Sequence, residues 1–464
     1  MTPPRQIAVF DVGKTNVKVA LVDLRDRREV AVETAPNHIR KDGPYPHYDV
    51  ERIWAFFDEA VARLAAAHPI DGISITAHGA SIVLLGHDDL ALPVLDYEHD
   101  GPDALTAEYD ALRPDFTETL SPRLPNGLTV GAQIHWLQQT FPDGFADTRY
   151  ILTYPQYWAW RLTGIATNEV TSLGCHTDLW RPVQRTWSSL VPRMGWDGLM
   201  APVRDATAPL GPLKPELAVR WGLAAGTPVA CGIHDSNASL LPHLLDNRPP
   251  FSVVSTGTWA ISFAVGASTE GLDQSRDTLA NVNVFGDPVP SARFMGGREF
   301  ELLTDGAPVA PTKAAVDRVL EEGLMVLPAV VPESGPFQGR SARWSTDPAS
   351  LSRQTRTAVA SLYLACMTET CLDLIGAAGP IIVEGPFAAN DLYCNAVAGL
   401  TGRGVRASTD SATGTSVGAA LLFEATAAKT GSAAPEPTAP GLEPAQARAL
   451  ATYAADWRRG ADEA

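Results

Sequence analysis

The chain of 464 residues has few cysteines, no surplus of positive charge and no long apolar run, and each lack narrows what it can be. Its five cysteines (Cys175, Cys231, Cys366, Cys371 and Cys394) lie far apart with no Cys-x-x-Cys pair. An odd count at wide spacing suits reduced thiols in a cytoplasmic protein. Cys366 and Cys371 fall in one helical stretch, where core packing is the expected role. Lys and Arg number 36 against 53 Asp and Glu, a formal charge of −17, which argues against nucleic acid or an anionic membrane as partner. No run of roughly eighteen apolar residues is available to cross a bilayer. Met1 to Gln6 carry no basic stretch leading into an apolar one, so no secretion signal is expected. The ten histidines show no Glu-x-x-His or His-x-x-x-His pattern. There is no Gly-x-Ser-x-Gly elbow for a serine hydrolase, and no strand runs into Gly-x-Gly-x-x-Gly as in a dinucleotide-binding fold.

What is present begins with "AVFDVGKTNVKVALVD", residues 8 to 23, which contains the Gly13-Lys14-Thr15 triplet that closes a P-loop. A P-loop needs a glycine five positions earlier and a helix afterwards. Ala8 holds the first position, and Asn16 to Val22 alternates with β-branched residues, which favours a second strand. The segment is therefore strand, tight turn, strand, with Asp11 near the end of the first strand.

Apolar residues at 45% can fill two cores of ordinary size. "REVAVETA" (28 to 35) adds a third strand, and Asp49 can cap a helix over 50 to 67, where Ile53, Phe56, Phe57, Ala60, Val61 and Leu64 recur with helical period. "GISITAHG" (72 to 79) reads as a strand ending in a polar turn, and "SIVLLG" and "LPVLDY" as further strands. Three strands, a helix and a strand is the order of a ribonuclease-H-like α/β unit. The layout returns in the second half. "FSVVSTGTWAISFAV" (251 to 265) is strand, glycine turn, strand, and "PIIVEGPFAAN" (380 to 390) is a strand ending in a glycine turn. A long helical stretch (351 to 379) separates them, and 391 to 400 is again helical. "LPHLLDNRPPF" marks the boundary between an N-terminal domain, 1–243, and a C-terminal domain, 244–464. "KTGSAAPEPTAPGLEP" (429 to 444) is a loop of low complexity before a last helix with Leu450, Tyr453 and Trp457 on one face.

Three glycine turns stand at strand ends: Asp11 to Asn16, Ser255 to Trp259, and Glu384 to Phe387. Glycines, Thr hydroxyls and free N–H groups make such turns suited to phosphate. In "CGIHDSNASLL" (231 to 241), Asp235 is placed to act as a general base, but the residues alone favour the reading in which Ser236 and Asn237 cap a helix.

Together these stretches resemble the FGGY family of carbohydrate kinases over nearly the whole chain. The resemblance implies an α/β protein of two ribonuclease-H-like domains of the actin/hexokinase/Hsp70 type, facing a cleft. The N-terminal one would bind sugar and the C-terminal one nucleotide. Asp11, Gly13, Lys14, Thr15 and Asn16 stand where the family has its first phosphate motif, and Thr256, Gly257 and Thr258 where it has its second. Gly385, Pro386, Phe387 and Asn390 fall in the adenosine-binding part, which "ATGTSVGAALL" also resembles. His78 and Gly79, then Tyr97 and Glu98, match sugar-contacting turns, joined by His234 beside the implied base Asp235. The implied co-substrate is ATP with Mg²⁺ near Asp11 and Asp235, and a homodimer is a further expectation. L-fuculose and L-rhamnulose kinases look nearest. The alternatives are kinases of another sugar such as a pentulose or polyol, and a sugar or nucleotide sensor without catalysis. Four departures stand out. Lys14 replaces a Thr, its ammonium either reaching a phosphate or decorating the hairpin. His99 replaces an Asp, Pro386-Phe387 replaces glycines near the adenine, and "FMGGREFELL" (294 to 303) has no counterpart.

Overall fold

A computed structural model describes residues 5–408, 414–425, 441 and 443–463. Most of the low-complexity stretch at 429–444 and the first residues of "ATGTSVGAALL" lie outside the described residues. The chain divides into two compact units. Among the described residues, the first takes in those of Met1–Asp246, Ala280–Pro288 and Ser411–Gly431, and the second those of Asn247–Leu279, Val289–Asp410 and Ser432–Ala464.

In the first unit, strands Gln6–Val12 and Asn16–Asp23 pair antiparallel, and the Gly13 N–H donates to Asn16 O (2.9 Å) to close the turn. Asn37 braces that turn twice, its side chain donating to Gly13 O (2.9 Å) and its backbone N–H to Thr15 O (2.8 Å). Strand Arg28–Pro36 completes the meander. The chain crosses through helix Val50–Ala67, where the Asp49 carboxylate accepts from Arg52 N (3.2 Å). Satisfying that orphan N–H fixes where the helix starts. Strand Gly72–Ala77 then lies parallel to Gln6–Val12, with Asp11 opposite Thr76, and Ile233–His234 lies parallel to Gly72–Ala77. The carboxyl ends of all three strands therefore open on one edge of the sheet, where open α/β sheets bind their ligands. Phe10 stacks on Phe57 (4.3 Å between centroids) and Phe57 meets Trp158 edge-on (5.4 Å), so a packed aromatic core backs that edge.

The second unit repeats the device. Phe251–Thr256 and Ala260–Val265 form an antiparallel hairpin, and Ile381–Glu384 lies parallel to the first of them, with Ser255 opposite Glu384. Val405–Ser408 follows on the outer side. Helix Arg353–Leu374 is buried along most of its length and holds Cys366 and Cys371 in the core. The last helix, Pro444–Glu463, buries Leu450, Tyr453 and Trp457, as its spacing predicts, and the Trp457 indole donates to Val326 O (2.8 Å). All five cysteines are free and buried.

One expected strand is absent. "LPVLDY" forms only an isolated bridge, Leu95 with His47, held by Tyr48 N to Val94 O (2.9 Å) and Asp96 N to Pro46 O (3.0 Å). Its alternation is real, but its partner segment offers too few residues for a ladder, and Pro93 brings no N–H. The helix after Ile233–His234 begins at Asp235 rather than after it, so Ser236 and Asn237 lie within its first turn and do not cap it.

Helix Gly296–Leu303 carries Glu299 into the interior beside Tyr363, where Glu299 accepts a long bond from Val331 N (3.4 Å). Burial pushes the Glu299 carboxyl up to about 7, with Tyr363 and Val331 partly opposing it. A carboxyl raised above its unfolded value holds its proton more tightly when folded. Its contribution is therefore complete below about pH 4.5 and lost as pH rises through 7. Between pH 5 and 8, wild type should lose about 2–3 kcal/mol relative to Glu299→Gln, read from urea unfolding of the two proteins at both pH values.

Candidate active site

Asp11 ends the buried core of the first strand, and its carboxylate is held by three groups. Thr415 Oγ donates to Oδ2 (2.6 Å), Ser416 Oγ donates to the same oxygen (3.3 Å), and the Lys18 ammonium lies 3.4 Å away. Burial raises the Asp11 pKa, the nearby negative charge of Asp235 adds to the rise, and Lys18 and Thr415 oppose it. Asp11 and Asp235 thus lie at the edge where three parallel strands end, close enough for Asp235 to act electrostatically on Asp11.

Asp235 enters from the third strand at the N-terminus of helix Asp235–Asp246. Its Oδ1 accepts from Ser236 N (2.6 Å) and lies 3.2 Å from His234 Nε2. Both contacts fall on Oδ1. Thr171 accepts the His234 backbone N–H (3.1 Å) and donates its own hydroxyl to Glu169, a buried cap of the short helix Val170–Leu173. Cys175 Sγ is 3.5 Å from His234 Nε2. Burial pushes the thiol up, but His176 and His234 outweigh it and draw it down; Cys175 and Asp235 in turn draw His234 up against its own burial. Gly79 permits this packing, because a Cβ there would lie 2.7 Å from His234 Nε2.

Beside this group the rings of Tyr48, Tyr97 and Tyr154 surround His78 at 5.1–5.3 Å between centroids. His78 Nδ1 bonds to Gly79 O (2.9 Å), while its buried Nε2 has no hydrogen-bond partner among the described residues. Burial lowers the His78 pKa to about 4, so the ring is neutral at pH 7 and Nε2 can act as donor or acceptor according to the tautomer. Asp235 acts electrostatically on both His78 and Tyr97, which places all three at one locus. Lys14 turns to this side: its ammonium pairs with Asp96 and lies 3.2 Å from Glu98. His99 packs against Trp136 (5.5 Å).

In the second unit a cavity of about 500 Å³ opens beside Gly257 and Thr258 and is lined by Gly297, Arg298, Phe300, Pro386, Phe387 and Asn390. Helix Gly296–Leu303 thus forms one wall of that cavity, a place its sequence gives no sign of. Thr256 Oγ is engaged inside the fold, donating to Glu384 O and accepting from Phe387 N (3.1 Å). Asn390 caps helix Asp391–Thr401, accepting from Tyr393 N (3.1 Å).

The structure therefore gathers Asp11, His78, Gly79, Tyr97, Glu98, His234 and Asp235 at one sheet edge of the first unit. Gly13, Lys14, Thr15 and Asn16 form the adjoining turn. Thr256, Gly257, Thr258, Gly385, Pro386, Phe387 and Asn390 lie together in the second unit. Sequence reasoning did not single out Lys18, Asp96, Cys175, Arg298, Phe300, Thr415 or Ser416, although Asp96, Thr415 and Ser416 lie in stretches that resemble the family's motifs. Among the described residues no group of three or more His, Cys, Asp or Glu is arranged to hold a metal ion. Asp11 and Asp235 offer two hard oxygen donors, a set that fits an ion retaining most of its waters rather than a protein cage.

The comparisons define the class first: the fold is that of solved carbohydrate kinases. A carbohydrate kinase from Novosphingobium aromaticivorans superposes with a TM-score of 0.87 at 38% identity, covering 98% of this chain and all of that one. Glycerol kinase of Plasmodium falciparum with ADP, at 13% identity and TM-score 0.77, covers 99% of this chain and 98% of its own and shares the fold. Residues 6–242 match the FGGY family of carbohydrate kinases, N-terminal domain, and 248–432 match carbohydrate kinase FGGY, C-terminal domain. The chain belongs to the FGGY family of carbohydrate kinases. Among curated relatives, a probable L-xylulose kinase of Pasteurella multocida is 26% identical over 58% of this chain and 56% of its own length. An L-fuculokinase of Salmonella typhi is 25% identical over 55% of each. The chain spans a little over half the length of the curated relatives it matches. No helix among the described residues is long and apolar enough to cross a membrane.

The Gly385 turn has a local test. Its φ is +79°, and an added Cβ would lie 1.9 Å from Thr256 O. Gly402, with φ +64° and open space around it, carries the conformational penalty alone. Gly402→Ala should cost about 1–2 kcal/mol, and Gly385→Ala about 1–3 kcal/mol more through overpacking, both measured by urea unfolding.

Proposed function

We propose that the protein phosphorylates a small ketose with ATP, Asp235 removing the proton from the accepting hydroxyl. The carrying observation is the position of Asp235: its Oδ1 is engaged by Ser236 N and His234, and it lies at the same locus as the partnerless His78 Nε2. A sugar hydroxyl is a poor nucleophile at neutral pH, and a carboxylate within hydrogen-bond reach takes its proton as the new bond forms. His78 Nε2 would accept from a second hydroxyl and fix the ring of the sugar, with the Tyr97 and Tyr154 faces excluding water. Family membership and the names of the relatives, an L-xylulose kinase and an L-fuculokinase, support a ketose such as L-fuculose, L-rhamnulose or L-xylulose.

Phosphoryl transfer needs positioning and charge neutralisation more than covalent chemistry. Lys18 is the cation nearest Asp11, and the Gly13–Asn16 turn is pinned by Asn37 so that Thr15 stays exposed at its tip. Asp11 and Asp235 would hold Mg²⁺ through water, which would neutralise charge on the ATP oxygens. In the second unit, the cavity with Gly257 and Thr258 at one side and Phe300 and Phe387 at another offers backbone to phosphates and an apolar wall to a base.

Asp235→Asn should retain ATP binding, followed by calorimetry, yet lose sugar phosphorylation by about 10²–10⁴-fold in a coupled ADP-release assay over a ketose and polyol panel. Turnover within a few-fold of wild type would remove Asp235 from the role. Silence of the wild type on every sugar, together with tight ligand binding, would mark a sensor instead of an enzyme.

A further inference from the structure

Lys14 stands in a phosphate turn but does not behave as a phosphate ligand. Its ammonium pairs with Asp96, lies 3.2 Å from Glu98 Oε2, and sits 4.6 Å above the Tyr97 ring and 5.4 Å from that of Tyr48. Asp96 is buried, and its Oδ1 also accepts from Glu98 N (3.2 Å), so the ammonium and the Asp96–Glu98 turn are tied into one piece. Two carboxylates already compensate the single positive charge. A polyphosphate would have to displace both, whereas a hydroxyl can donate to the carboxylate or accept from the ammonium without breaking the pair.

The same residues border His78 and Tyr97, both under the influence of Asp235. Negative groups there are Asp11, Asp96, Glu98 and Asp235. The positive ones are Lys14, already paired, Lys18, which is shared between Asp11 and Glu29 (3.0 Å), and His234, drawn up to about 9 and itself 3.2 Å from Asp235. A carboxylate on the substrate would enter a locus where each of these cations already faces a carboxylate.

We infer that Lys14 is a specificity-determining residue of the acceptor site. Through its pair with Asp96 and Glu98 it holds the hydroxyl-binding groups in place for an uncharged polyhydroxy substrate, and the surrounding carboxylates reject the corresponding sugar acid. This rests on the kinase assignment above and extends it to the substrate's charge.

The test uses the full-length protein, with ketoses and their carboxylate counterparts (ketoaldonic acids) as probes and circular dichroism to verify folding of each variant. Wild type should favour the neutral sugar by about 100-fold or more in kcat/KM. Lys14→Met should raise KM for the sugar about tenfold or more while KM for ATP stays within about twofold. Glu98→Gln, which frees part of the ammonium's charge at a more exposed position, should narrow the preference over the acid about tenfold. A raised KM for ATP with an unchanged sugar KM in Lys14→Met would return Lys14 to the phosphates and overturn the inference, as would a wild-type preference for the acid. If wild type phosphorylates no sugar, the kinase assignment fails on its own. Calorimetric binding of the same sugars to wild type and Lys14→Met then decides the role of Lys14: weaker neutral-sugar binding supports it, and equal binding overturns it.

Discussion

The first unit is organised around the cost of placing two carboxylates, Asp11 and Asp235, at one end of a buried sheet. Burial makes the charge of Asp11 harder to carry, and the neighbouring Asp235 adds to the difficulty. The fold meets this with hydroxyl donors from Thr415 and Ser416, the ammonium of Lys18, and the Ser236 N–H and His234 at Asp235. A site that concentrates negative charge is suited to bring in a cation and its bound phosphates, and poorly suited to hold anything anionic without one. The parallel strands make the arrangement possible, because three of them end together and each delivers one residue of the set.

Much of this was legible from local pattern. The hairpin around Gly13, the Asp49 cap and its helix, and the second hairpin around Gly257 all depend on interactions between near neighbours, and such interactions leave a period or a turn signature in the sequence. Asp235 was legible as a residue of interest only through the resemblance of its segment to the family's catalytic stretch, since an acid at a helix start is otherwise ordinary. That Ser236 and Asn237 do not cap the helix emerged only from the structure, which starts the helix at Asp235 itself.

The illegible parts involve residues far apart in the chain. Thr415 reaches Asp11 across 404 positions, and Lys14 reaches Asp96 across 82. Neither pair has a periodicity to betray it. "LPVLDY" misled for the opposite reason: it has the alternation of a strand, but strand formation also requires a neighbour long enough to pair with. Arg298 and Phe300 were hidden because a helix of eight residues can line a cavity with any chemistry, and only the packing of its glycine-rich start against Gly257 and Thr258 reveals which side it presents.

The return of helix Thr415–Ala420 to the first unit has a consequence for biosynthesis. It packs on helix Asp235–Asp246 so closely that a Cβ at Gly418 would lie 1.7 Å from Ala238 O, and it supplies the hydroxyls that quiet Asp11. A ribosome releases the chain from its N-terminus, so this unit stays unfinished until more than 400 residues have emerged. During that interval the sheet edge that will carry the two acids lacks its cover. A gene cut near residue 246 would for the same reason yield a polypeptide with an open seam, whatever the sequence match to a separate N-terminal family domain suggests.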